Sequence, residues 1–234
     1  CPQPKRAPRR SSQSIVLWAA RHADMRVLFC HGLESGPGGF KPRALRSQGA
    51  TVTAPDMAMS LWNPTKRNSV VLGLLSPRAM LTRWPSQWIG GALADSFEAC
   101  VDVQRTALRD AGPAAFDVLI GSSWGGAVAA ALIAEGAWTG PAVMLCPALS
   151  ELRRHGAIEA IVDQIAALPA ERKAQCLIVH GDADETIPVA DSVKLCAATG
   201  IELEVIEGGN HGMGSVAADG RLLRFAERVV SSEA

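Results

Sequence analysis

The chain has 234 residues, with 23 Lys plus Arg against 23 Asp plus Glu, and 48% of its residues are apolar. That length suits one domain with a sizeable core, and the charge balance leaves no basic field for nucleic acid. No apolar run reaches the ~20 residues of a membrane-spanning helix.

The cysteines sharpen these exclusions. Cys30, Cys146 and Cys176 fall in apolar, strand-like runs; Cys100 and Cys196 fall in helical ones. Scattered over core elements, they read as small hydrophobes of a reducing compartment, so a cytoplasmic protein without a disulfide framework is expected. No C-x-x-C pair or Cys/His run suggests zinc, and neither metal nor cofactor is expected. Oligomeric state has no signature in the sequence.

Residues 1–24 open with a Pro- and Arg-rich stretch and then Ser11-Ser12-Gln13-Ser14. They read as a disordered or extraneous extension with too little apolar surface to fold, and Met25 reads as the natural start of the domain. From there strands and helices alternate. Met25 to Cys30 is a strand, and Gly39 to Gln48 a helix ending at Gly49. Thr51 to Ala54 is the second strand. A helix is expected over Asp95 to Arg109, stopping at Gly112-Pro113.

Phe116 to Ile120 is the third strand, with a small-residue helix from Gly126 to Ala134. Ala142 to Cys146, Gln175 to His180 and Ile201 to Ile206 supply three more strands. Helices are expected near 158–168, 189–198 and 219–230. Six strands alternating with helices predict an α/β fold with a mostly parallel sheet covered on both faces.

One segment breaks the alternation. Residues 57–94 hold Trp62, Trp84 and Trp88, half of the chain's six tryptophans. The segment follows the carboxyl end of a strand, the edge where α/β folds bind ligands. It reads as a lid or apolar pocket wall formed by those three rings, or else as a long crossing packed on the sheet edge.

Gly121-Ser122-Ser123-Trp124-Gly125 fits G-x-S-x-G, and it stands between an apolar strand and a helix. A strand-to-helix turn that sharp strains its central residue and lifts the Ser123 hydroxyl above the sheet edge. A nucleophilic serine needs a base, and the base needs an orienting acid. Candidates follow at two later strand ends. His180-Gly181-Asp182-Ala183-Asp184-Glu185 offers three carboxylates, and Gly208-Gly209-Asn210-His211 offers an imidazole on a turn loose enough to swing it. The order Ser, Asp, His is that of α/β-hydrolases.

These segments, with Phe29-Cys30-His31-Gly32, resemble a small single-domain serine hydrolase of the α/β-hydrolase superfamily. The chain is similar to compact bacterial esterases with a G-x-S-x-G nucleophile elbow. The resemblance implies Ser123 as nucleophile, His211 as base and, from H-G-x-x-D, Asp184 as acid; Asp182 is expected to fix its loop or enter a salt bridge. Backbone N–H groups of Leu33 and Trp124 are expected to form the oxyanion hole, leaving both side chains free to shape the pocket. His31 and His180 are expected to brace loops.

The activity implied is hydrolysis of a carboxylic ester of a small or acyl substrate through an acyl-enzyme. An acyl thioesterase needs the same triad and is the nearest alternative. A catalytically silent binding module is a further one, although such proteins usually lack residues that are present here.

Overall fold

The computed structural model describes residues 25–59, 85–155 and 157–232. Neighbours along a strand point to opposite faces, so uninterrupted apolar strands require a sheet covered on both sides. β1 (Arg26–Cys30) shows the division: Val27 and Phe29 enter one core, Leu28 and Cys30 the other. β3 (Val118–Ser122), β4 (Ala142–Leu145) and β5 (Cys176–Gly181) are buried along their whole length. With β2 (Thr51–Thr53) and β6 (Glu202–Ile206) they form one sheet in the order β2-β1-β3-β4-β5-β6, and every pairing is parallel.

In chain order the helices are α1 (Phe40–Ser47), α2 (Pro85–Ala111), α3 (Trp124–Ala134), α4 (Ala157–Ala166), α5 (Ala170–Ala174), α6 (Val189–Thr199), α7 (Gly214–Ala218) and α8 (Arg221–Ser231). Leu45 of α1, Val216 of α7 and Leu222 of α8 join the Phe29 core. Phe97 of α2, Leu132 of α3 and Ile165 of α4 join the opposite one. α3 is buried on every side from Trp124 to Ile133, as its alanine-rich, uncharged sequence requires. The β6 edge carries Glu202 and Glu204, which meet Arg228 at 3.4 and 3.3 Å. Charges on an edge strand discourage pairing with another chain.

One expectation about an element changes. α2 begins at Pro85 rather than Asp95, so the expected insertion loses its last ten residues to a helix. Pro85 stands at the first helical position, where proline sacrifices no hydrogen bond, and Gly90-Gly91 lie within the helix. The glycines cost about 1 kcal/mol each in propensity, which Phe97, Cys100, Val101 and Leu108, buried further along the helix, offset. The expected C-terminal helix is α8, and a short helix outside the expectations, α7, precedes it across Gly220, whose φ is +80°. Trp62 and Trp84 lie outside the described residues. Trp88 sits on α2, and its side chain lies outside them too.

The sheet order reverses between β1 and β3. Their carboxyl ends flank the crevice where open α/β sheets bind ligands. Among the described residues no helix is long and apolar enough to cross a membrane.

Candidate active site

Ser123 stands at the end of β3 with φ +57° and ψ −119°, a conformation L-residues rarely adopt. Its backbone is held on both sides. Ser123 N–H donates to the Leu145 carbonyl at 2.8 Å, and its own carbonyl accepts from Gly126 and Ala148 at 2.8 and 3.1 Å. The pattern's glycines are required by close approach. A Cβ on Gly125 would stand 2.0 Å from the Cys30 carbonyl oxygen, and one on Gly121 2.3 Å from that of Gly125. The turn and β1 are therefore in backbone contact.

Three of the sequence-derived residues come together. The Ser123 Oγ to His211 Nε2 distance is 2.8 Å, and His211 Nδ1 lies 2.7 Å from Asp184 Oδ2. An ionised carboxylate can only accept, so Nδ1 carries the proton and Nε2 offers its lone pair to the serine hydroxyl. Asp184 is enclosed, yet its charge is well supported. Oδ1 accepts the N–H groups of Thr186 and Ile187, both at 2.9 Å. Burial pushes the Asp184 carboxyl upward, but the hydrogen bonds from Ile187, His211 and Thr186 prevail and hold it below the usual range.

Asp182 and Glu185 are exposed and point elsewhere. Asp182 Oδ1 accepts the Gly208 N–H at 2.7 Å, tying the β5 loop to the turn that carries His211. His180 is fully buried. Its Nε2–H donates to the Ile187 carbonyl at 2.9 Å and lies 3.2 Å from Asp184 Oδ2, while Nδ1 meets Ser192 Oγ at 2.7 Å.

Cys146, His180 and Asp184 place their polar atoms within 4.8 Å of one another. Cys146 lies far from the other two in sequence, so no cluster of three shows there. Their donors do not fit a metal ion. The His180 nitrogens and both Asp184 oxygens are engaged, and burial raises the Cys146 thiol to about 12, far from the thiolate a metal needs.

The loop after β1 is tied to the chain beyond β2. His31 Nε2 accepts the Met57 N–H at 3.0 Å, and Glu34 N–H donates to the Met59 carbonyl at 3.0 Å. Between these two ties lies Leu33, which lines a pocket of about 230 Å³ with Ser123, His211, Ser122, Phe40 and Lys41. Trp124 is the first residue of α3, so its backbone N–H is one of the helix's free first-turn donors. Its side chain departs from expectation. It is 1% exposed and packs edge-on against Phe97, with ring centroids 5.5 Å apart, so it fills the core and not the pocket.

The sequence reading missed Lys41. Its signal was available, since a cation in the first turn of a helix opposes the helix dipole.

The comparisons agree with this architecture. Residues 23–212 match the family model described as Serine hydrolase (FSH1), and the chain belongs to that family. It is a serine hydrolase of the α/β-hydrolase superfamily. No curated protein matches its sequence. A Thermus thermophilus protein, TT1662, superposes with a TM-score of 0.53 at 19% identity, covering 88% of this chain and 89% of that one. Est1E from Butyrivibrio proteoclasticus gives 0.52 at 16%, covering 88% and 86%. An alpha-beta serine hydrolase homologue from Coxiella burnetii gives 0.51 at 16%, covering 90% and 85%. At these identities the likeness is one of fold.

Proposed function

We propose that this serine hydrolase cleaves a carboxylic ester of a small or acyl substrate, with Ser123, His211 and Asp184 as its triad. The supporting observation is the unbroken hydrogen-bond chain from Ser123 Oγ through the imidazole to Asp184 Oδ2. In the first half-reaction Ser123 Oγ attacks the acyl carbonyl while His211 Nε2 takes its proton. The tetrahedral oxyanion sits between the backbone N–H groups of Leu33 and Trp124. Collapse expels the alcohol, which receives the proton from His211, and leaves an acyl-serine. Water, deprotonated by the same imidazole, then releases the acid and restores Ser123. Asp184 holds the Nδ1–H tautomer and stabilises the imidazolium formed twice per cycle.

A fluorophosphonate probe tests the reading. Covalent labelling of the wild type, lost in Ser123→Ala, is expected; an unlabelled wild type would point to a silent binding module. Rates on p-nitrophenyl esters of increasing acyl length, beside an acyl-CoA and an S-acyl peptide, then separate esterase from thioesterase.

A further inference from the structure

Lys41 is set into the catalytic pocket in a way that local stability does not explain. It lies in the first turn of α1, where the helix dipole disfavours a cation. Residues 44 and 45 are Ala and Leu, so neither i+3 nor i+4 offers a carboxylate. The side chain is half-buried and lines the same pocket as Ser123 and His211. No hydrogen bond or ion pair holds its ammonium group among the described residues. Its electrostatic neighbour is the Cys146 thiol, which burial keeps protonated and therefore neutral. Burial lowers the Lys41 pKa, the mark of a cation deprived of water without a compensating anion.

A second polar group faces the same space. Strand alternation puts Ser122 on the Phe29 side of the sheet, the side that α1 covers, and Ser122 also lines the pocket. Its hydroxyl has no hydrogen-bond partner among the described residues.

We propose that Lys41, assisted by the Ser122 hydroxyl, binds a carboxylate carried by the substrate, making the preferred ester an acidic one. The inference rests on the hydrolase reading above and adds the substrate class. One positive charge without an ionic partner among the described residues matches one negative charge, so a carboxylate neutralises it where a phosphate dianion would leave an excess of negative charge. Lysine also suits a single-point contact with a carboxylate, having no planar fork to impose orientation. The carboxylate can belong to the acyl half or to the alcohol half of the ester, and the assay has an arm for each.

The acyl arm compares monoethyl glutarate with ethyl pentanoate. The alcohol arm compares butyryloxyacetate with ethyl butyrate. Wild type is expected to favour the acidic member in one arm. Lys41→Met should lower that anionic-to-neutral ratio of kcat/KM by about 10–100-fold, the worth of a charge-assisted hydrogen bond, and Lys41→Arg should keep most of it. Equal ratios in wild type and Lys41→Met, with both proteins folded by thermal melting, would overturn the proposal.

A binding measurement is independent of turnover. Calorimetry on Ser123→Ala should show monoethyl glutarate or butyryloxyacetate binding that is lost on adding Lys41→Met. If the wild type turns over none of the four esters and resists fluorophosphonate, the hydrolase reading fails, and the calorimetry alone then decides whether Lys41 holds a carboxylate.

Discussion

Asp184 Oδ2 faces two histidines, His211 Nδ1 at 2.7 Å and His180 Nε2 at 3.2 Å. One contacts Ser123; the other is sealed in the core against Ile187 and Ser192. With Thr186 and Ile187 on Oδ1, the carboxylate is fixed from both oxygens. Asp184 is thus the meeting point of the β5 loop and the His211 turn.

The two aspartates of that loop should separate on substitution. Asp184→Asn presents an amide that can hold His211 in the wrong tautomer, a change that costs about 10⁴ in turnover in a serine protease. A loss of several orders of magnitude in kcat is therefore expected. Asp182→Asn keeps an oxygen for the Gly208 N–H and should retain most activity. Comparable losses in the two variants, measured as kcat on one p-nitrophenyl ester, would remove Asp184 from its assigned role.

The adjacent serines offer a similar contrast. Ser123→Ala should lower kcat by about 10³-fold or more, because it removes the attacking oxygen. Ser122→Ala should cost far less on a neutral ester, since its side chain points along the Phe29 face and makes no hydrogen bond to His211, which instead meets Ser123. A dead Ser122→Ala beside an active Ser123→Ala would reverse the assignment of the nucleophile.

The site was legible in the sequence to the extent that strand ends were. Ser123, Asp184 and His211 each follow an apolar run, so their place at one sheet edge follows from alternation and parallel pairing alone. What escaped depends on contacts between distant segments. Cys146 and His180 meet only because β4 and β5 are neighbours. Trp124 looked like a pocket residue because it adjoins Ser123, but the helical turn sends its ring toward Phe97. The ten residues that open α2 include Gly90-Gly91, whose propensity cost is local while the burial that offsets it lies further along the helix.

Gly125→Ala tests the close approach of the elbow to β1. The new Cβ would fall 2.0 Å from the Cys30 carbonyl oxygen and 2.6 Å from that of His31, both backbone atoms that a rotamer change cannot move. The turn must shift, and with it Ser123 and the loop bearing Leu33. A loss of several °C in Tm together with a sharp fall in kcat is expected. Gly136→Ala is the control for alanine at a glycine: nothing stands within 4 Å of its Cβ, and only its φ of +74° resists. Its kcat should stay near wild type, and unchanged activity in Gly125→Ala would mean that the elbow does not press on β1.

Acid stability should carry the signature of Asp184. Its folded-state pKa lies below the ordinary value, so the folded protein holds the ionised form more strongly than the unfolded chain does. The resulting stabilisation is complete above the unfolded carboxylate pKa of about 3.9 and is lost as pH falls through the lower folded value. Asp184→Asn has no such titration. Denaturant unfolding of both proteins at about pH 6 and about pH 3 should therefore show the wild type losing more stability on acidification than the variant. The sign follows from the Thr186, Ile187 and His211 hydrogen bonds, all of which favour the carboxylate over the acid. If the difference in unfolding free energy between the two proteins stays constant over that range, the carboxyl binds its proton equally well in the folded and unfolded chains, and those hydrogen bonds do not outweigh its burial.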